Sequence, residues 1–291
     1  MTDRPGTIDG FERGYRRQLA EKRLRTLGFG LVLAAALVAS VLVGQVDPAR
    51  LAAGLPQAWA YVWGTVPVLR VETLGADLGE WYWGLGIWLR LAGETVLMGF
   101  TGTVLGGAAG LLLCFPASRN LVQSRILHFA CRRLLEVART VPELVYALVF
   151  VYAFGLGPFA GVLAIAVHTA GSLGKLFAEV NENVDPGPIE GVRAAGGTWP
   201  MIMRLAVLPQ VLPNFASYGL LRFEINVRSA SAIGIVGAGG IGEELYLAVR
   251  QFEYPDISAI LLLIIAMVSI IDLGCEAVRH RLIGRDALRV V

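Results

Sequence analysis

Glu190-Gly191-Val192-Arg193-Ala194-Ala195-Gly196, followed twelve residues later by Leu208-Pro209, is the stretch on which the reading of this chain turns. It lies between strongly apolar runs. A short helix of small residues, broken at Gly196-Gly197 and restarted before a Leu-Pro pair, is a poor way to span a bilayer. It suits a compact knob that docks into a groove on another protein. Glu190 and Arg193, three apart, fall on one face of that helix. Pro188 suits its first turn, where a missing N–H costs nothing. Thr198 is placed to cap the helix that follows Gly196-Gly197.

The runs on either side set the fold class. Of 291 residues, 55% are hydrophobic and only 16% charged, and the mean hydropathy is +0.62. Charges are absent from Leu27 to Gln45, Thr95 to Ser118 and Ile257 to Ile271, and from the 31 residues between Glu143 and Lys175. A helix needs about 20 mostly apolar residues to cross a bilayer core, and unbroken apolar runs favour helices over a closed barrel. The expected fold is therefore an all-α polytopic membrane protein of about six transmembrane helices. The expected divisions are a basic arm over 1–26, a first span over 27–46, and an extracytoplasmic or interfacial segment over 47–90. A permease-like domain over 91–277 and a tail over 278–291 complete the chain.

Basic residues cluster before the first run (Arg4, Arg13, Arg16, Arg17, Lys22, Arg23, Arg25), between the second and third (Arg119, Arg125, Arg132, Arg133), and after the last (Arg279, Arg281, Arg285, Arg289). With six spans these clusters share one side, which the positive-inside rule makes cytoplasmic together with both termini and the Glu190 knob. Each cluster abuts an apolar run, which argues against nucleic acid as a partner. Cys114, Cys131 and Cys275 have no metal-ligand spacing and read as reduced packing residues. No metal site and no catalytic constellation are expected.

Within the spans, Asp47-Pro48 stops the first helix. Trp59, Trp63, Trp81, Trp83 and Trp88 suit an interfacial segment or a folded lid. Gly102, Gly106, Gly107 and Gly110 suit close helix packing in lipid. Pro142 bends the third span, which starts near Leu134, and Gly155-Leu156-Gly157-Pro158 makes a tight turn. The fourth span covers about 159–180 and the fifth begins near Ala206. His168 reads as a hydrogen-bonded packing residue, with a proton relay as the alternative. Gly237, Gly239, Gly240 and Gly242 spell G-x-G-x-x-G, but no βαβ unit fits between two spans. The run reads as a flexible, gate-flanking or re-entrant turn. The sixth span covers about 256–277, with Asp272 near its end.

The sharpest specificity signal is Arg222-Phe223-Glu224-Ile225-Asn226-Val227-Arg228. A helix carries it about 20 Å beyond Pro209 at 1.5 Å per residue. Charges at that depth are costly and mark a candidate functional site. Tyr218, Arg222, Asn226 and Ser229 share one face. Glu224 and Arg228 are i,i+4 partners on nearly the opposite face. Either Glu224–Arg228 is a structural pair with Arg222 reaching outer water, or Arg222 and Asn226 line a path and attract an anion. A guanidinium binds phosphonate or phosphate oxygens bidentately.

Two resemblances follow from these residues. Glu190, Ala194, Ala195, Gly196, Leu208 and Pro209 resemble the coupling loop of importer-type ABC permeases, with Gly191, Val192 and Ala206 departing from the usual residues. Arg139-Thr140-Val141-Pro142-Glu143, Pro209 to Phe215, Arg222 to Ala230 and the glycine run resemble the phosphonate-import branch. The resemblance covers roughly residues 90–276. It implies a type I ABC importer (MetI-like) permease fold and a homodimer. It also implies two cytoplasmic ABC ATPase subunits and an extracytoplasmic substrate-binding protein. The cargo would be a phosphonate-like anion, with membrane lipid as solvent. Glu190, Gly191, Arg193, Ala194, Ala195, Gly196, Leu208 and Pro209 would couple to the ATPase. Gly174-Lys175-Leu176, with Thr169 where a first glycine belongs, is not a P-loop. ATP and Mg would therefore be bound by the partner subunit, with no cofactor in this chain. The alternatives are an ABC permease for an amino acid such as methionine, a secondary transporter with midplane charges, and a membrane-embedded enzyme.

Overall fold

The structure is a computed structural model that describes the backbone of residues 8–287 and the side chains of residues 10–281. Arg4, Arg285, Arg289 and the end of the 278–291 tail lie outside the described side chains. The described residues form helices joined by turns and short loops, and the chain divides into two compact units, residues 1–63 and 64–291.

In the first unit, α1 (Ile8–Val43) runs without a break from the basic arm into the apolar run. A turn with Gln45 at φ +50° ends it. The Asp47 carboxylate then accepts from Ala49 and Arg50 N–H at 2.9 and 3.2 Å. It thereby caps α2 (Pro48–Gly64), with Pro48 at the position that tolerates a missing donor.

The second unit contains α3 (Leu74–Trp81), α4 (Leu85–Ala117), α5 (Arg125–Thr140), α6 (Glu143–Phe154) and α7 (Pro158–Glu182). It continues with α8 (Pro186–Ala194), α9 (Trp199–Ile202), α10 (Leu208–Ile233), α11 (Ile241–Gln251) and α12 (Tyr254–Ala287). Among the described residues, Gly10–Val43, Leu85–Ala117, Pro158–Glu182 and Tyr254–Arg281 are long and apolar enough to cross a membrane. Trp199–Val236 with Ile241–Gln251, bent by 44°, makes a fifth if counted as one span.

The third span expected from the sequence is divided. Pro142 holds Val141 in an extended conformation (φ −72°, ψ 125°), as a residue before proline prefers. The amphipathic α5 lies on one side and the apolar α6 on the other. The 12 residues of α6 rise only about 18 Å.

The centre of the unit is the α4–α7 seam. A Cβ on Gly102 would lie 2.5 Å from Ile165 Cγ2, one on Gly106 2.5 Å from the Ala166 carbonyl oxygen, and one on Gly110 2.8 Å from the Gly174 nitrogen. These glycines let two backbones touch where lipid offers no hydrophobic drive for association. Gly107 differs: its nearest neighbour would be 3.5 Å away, and it faces an apolar cavity instead. On its other side α7 uses Gly171, where a Cβ would meet the Arg139 nitrogen of α5 at 2.5 Å.

The ends of the bundle are tied differently. Near α8, Phe177 and Phe215 stack with centroids 4.0 Å apart, inside a core that includes Leu135, Ile189, Ile202 and Val207. At the other end Trp88 is buried with Ile241, Ile257 and Ile260. Trp81 Nε1 donates to the Pro255 carbonyl and Trp83 Nε1 to Asp256, fastening residues 81–83 to the start of α12. The glycine run is a tied corner rather than a flexible break. Gly237, Gly239 and Gly240 take φ of about +80°, which costs a side chain-bearing residue roughly 1–2 kcal/mol each. Gly157 N–H donates to the Gly237 carbonyl and Ile241 N–H to Thr95 Oγ1, both at 2.9 Å.

Candidate functional site: an exposed knob and a buried polar cluster

The Glu190 segment forms α8, whose start is fixed by the Asp185 carboxylate accepting from Gly187 N–H at 3.0 Å. Its end is a Schellman turn: Gly196 takes φ +79°, its N–H donates to Arg193, and Gly197 N–H donates to Val192, each at 3.0 Å. That is why a glycine stands at position 196. Gly197 is also constrained, since a Cβ there would lie 2.6 Å from Val192 Cγ1. Ile189 is buried in the core while Glu190, Gly191, Arg193, Ala194 and Ala195 are exposed. Nothing lies within 4 Å of a Cβ on Gly191. The result is a knob anchored by Ile189, with Val192 packed partly buried beside it and small residues outward.

Thr198 occupies the cap position of α9, but its side chain makes no capping bond. Pro200, in the first turn, has no N–H to offer. The chain then continues through a π turn over Met203–Val207 into α10. Leu208 N–H donates to the Met203 carbonyl five residues back, and Pro209 follows without a donor. Gln210 locks the two parts together. Its Oε1 accepts from Asp185 N–H at 3.0 Å and its Nε2 donates to the Ala206 carbonyl at 2.8 Å. The knob and the base of α10 are thus directly hydrogen-bonded.

Further along α10, Asn226 is fully buried and its Nδ2 donates to Thr103 Oγ1 of α4 (2.8 Å) and Thr169 Oγ1 of α7 (2.9 Å). Arg222 Nε approaches the same Thr169 Oγ1 at 3.5 Å. The Glu143 carboxylate at the start of α6 lies within electrostatic reach of Arg222. Asn226 Oδ1 and Glu143 Oε1 are both buried without a hydrogen-bond partner. His168 Nδ1, beside Thr169, donates to the Val141 carbonyl at 3.1 Å and so braces the Pro142 bend. Four helices therefore converge on one polar cluster holding a guanidinium and unsatisfied oxygens. Its guanidinium is the group that can attract an anion, whereas the unpaired oxygens call for a hydrogen-bond donor.

Of the four residues on the sequence-derived face, Arg222 and Asn226 are brought together. Tyr218 packs partly buried against the core near α8, and Ser229 is half-buried farther along. Glu224 bonds Arg228, and both reach α12: Arg228 lies 3.3 Å from Asp272 and Arg279 3.4 Å from Glu224. This is a four-charge network rather than an isolated pair. Thr103, Thr169 and Glu143 were not singled out as site residues by the sequence. Lone polar residues in apolar runs were the available signal.

A helical membrane bundle with a protruding knob hydrogen-bonded to a helix that carries a buried polar cluster defines a polytopic permease-type protein. The chain belongs to the binding-protein-dependent transport system inner membrane component family, whose model matches residues 102–282. It is 38% identical to the phosphite transport system permease protein PtxC of Stutzerimonas stutzeri, over 91% of this chain and 90% of that one. It is 34% identical to the phosphate-import permease protein PhnE of Mycolicibacterium smegmatis, over 90% of this chain and 47% of the other. The D-methionine transport system permease protein MetI of Escherichia coli matches at 25% over 56% of this chain and 73% of its own. Among solved structures, the inward-facing MetNI methionine ABC transporter superposes with a TM-score of 0.59 at 21% identity. It covers 68% of this chain and 97% of that one, and it establishes the fold.

Proposed function

We propose that this chain is the transmembrane permease subunit of an ATP-driven ABC importer for phosphonates or related phosphorus oxyanions, phosphite or phosphate. The observation that carries the substrate class is that the phosphite and phosphate permeases match nearly the whole chain at higher identity than the methionine permease does. Arg222, held among Thr169, Asn226 and Glu143, supplies a fitting positive charge inside the bundle.

In this reading two copies pair to enclose the pathway, and both termini and α8 face the cytoplasm. Two cytoplasmic ATPase subunits bind ATP and Mg. An extracytoplasmic binding protein delivers the anion. Each ATPase grips the exposed face of α8, with Glu190 ordering the loop and Gly191, Ala194 and Ala195 permitting close approach. Closure of the ATPase pair displaces α8. The Asp185–Gln210 bonds pass that displacement to α10, and the Arg222–Asn226 cluster moves with it. The glycine corner at 237–242 marks the opposite end of the same moving unit. Access then alternates, and the permease needs only weak, transient affinity for its cargo.

The test is ATP hydrolysis by the chain reconstituted in lipid with its ATPase and binding protein, titrated with methylphosphonate, phosphite, phosphate and methionine. Stimulation by one phosphorus oxyanion is expected, abolished by Glu190→Ala. Arg222→Gln should keep the complex assembled and lower anion uptake by about tenfold, the scale of one lost hydrogen bond to a charged group. Stimulation by methionine alone would overturn the substrate, and stimulation that survives Glu190→Ala would overturn the coupling role of that residue.

A further inference from the structure

A second polar site lies away from the α10 cluster, where α4 ends and α5 begins. A cavity of about 660 Å³ is walled there by Arg119, Arg125, His128, Arg132, Arg133 and Glu182. Two of its guanidiniums are matched within the protein: Arg132 pairs with Glu182 at 2.8 Å, and Arg133 pairs with Glu136. Arg119 offers Glu182 only its backbone N–H, at 3.0 Å. Among the described residues the Arg119 and Arg125 guanidiniums enter no ion pair or hydrogen bond. His128 Nδ1 is buried beside them with no hydrogen-bond partner. The positive end of the α5 dipole adds to the same field. An excess of basic residues near span ends accounts for positive charge at this level. It does not account for a cavity that keeps two cations unmatched and an imidazole nitrogen unsatisfied.

The surroundings narrow the ligand. Ile126, Leu127 and Phe129 on the first turns of α5 are exposed, and the Arg133 guanidinium lies over the Phe129 ring at 5.3 Å. Cationic donors thus adjoin an apolar rim at the end of a membrane-spanning helix. Guanidiniums bind phosphoryl oxygens bidentately, and basic pockets at such a level hold lipid head groups.

We propose that this cavity is a phosphoryl-anion site, and that the phosphate it holds belongs to an anionic membrane lipid whose chains lie against Ile126 and Phe129. Arg119 and Arg125 are the principal ligands.

The experiment uses the full chain in complex with its ATPase, stripped of lipid in a neutral detergent. Retention of phosphatidylglycerol, phosphatidylcholine and inorganic phosphate is then measured by native mass spectrometry. Preferential retention of phosphatidylglycerol is expected. Arg119→Gln with Arg125→Gln should weaken that retention roughly tenfold to thirtyfold. The charge-matched control Arg16→Gln with Arg17→Gln should leave it unchanged. Equal retention of the two lipids, or equal losses in the two double variants, would overturn the proposal. Displacement of phosphatidylglycerol by inorganic phosphate at matched concentration would keep the phosphoryl site but overturn the lipid as its source. Loss of the ATPase with lipid retention intact would make the cavity a protein contact and overturn the site.

Discussion

Asn226 is fully buried and ties α10 to two other helices. Its amide nitrogen bridges α4 and α7 through Thr103 and Thr169. Truncation would remove both bonds and leave two hydroxyls facing an apolar void. Interhelical hydrogen bonds in membrane proteins are worth about 0.6 kcal/mol on average, and the void adds to that. Asn226→Ala is therefore expected to lower the unfolding free energy by about 1–2 kcal/mol, measured by denaturant titration in detergent. An unchanged midpoint would show that the amide does not bridge the helices in the working protein. The neighbouring Arg222 is held more loosely, by one long contact to Thr169 and the field of Glu143. A cation held that way can exchange partners with a passing anion, whereas Arg228 and Arg279, bound to Glu224 and Asp272, are already engaged.

At the scale of elements, α8 sets a buried anchor against an open face within nine residues. Gly196 and Gly197 serve the helix end, while Gly191 faces open space. Substituting the two kinds of glycine should therefore give different results. Gly196→Ala forces a Cβ into a left-handed conformation at a cost of about 1–2 kcal/mol, which should loosen the knob and lower ATPase stimulation. Gly191→Ala meets nothing in its own chain, so any loss it causes in the reconstituted assay belongs to the proposed contact with the ATPase. Equal behaviour of the chain alone in both variants, by thermal midpoint, would refute the distinction. The π turn before Leu208-Pro209 and the Gln210 clamp tie the start of α8 directly to the base of α10, although a four-residue helix lies between them.

At the scale of the molecule, the distribution of charge predicts a sidedness that can be measured. Cys114, Cys131 and Cys275 are buried, so introduced cysteines report separately from them. Gly191→Cys is expected to react with a membrane-impermeant thiol reagent only from the cytoplasmic side. Leu156→Cys, at an exposed turn beyond α6, should react only from the other side. Labelling of both from one side would overturn the orientation given by the positive-inside rule. The α4–α7 glycine seam, with the Thr103–Asn226–Thr169 bridge across it, forms the rigid middle of the second unit. The knob and the glycine corner lie at its two ends.

By itself the sequence determined that this chain is a helical membrane protein with a short helix set between its apolar runs. Lipid leaves the backbone of an apolar run no alternative to helix, and Gly196-Gly197 can end a short helix using only its own last turn. It also placed Arg222 and Asn226 on one face, because helical period is a local property. Only the tertiary structure decided what those residues meet. Thr103 lies 123 positions from Asn226, and Asp272 lies 44 from Arg228. Which of them face one another depends on helix rotation and axial register, and these are set by glycine contacts that hydropathy does not encode. The division of the third span at Pro142 has the same origin. A proline permits a bend, but the bond from His168 to the Val141 carbonyl, across 27 positions, is what holds it.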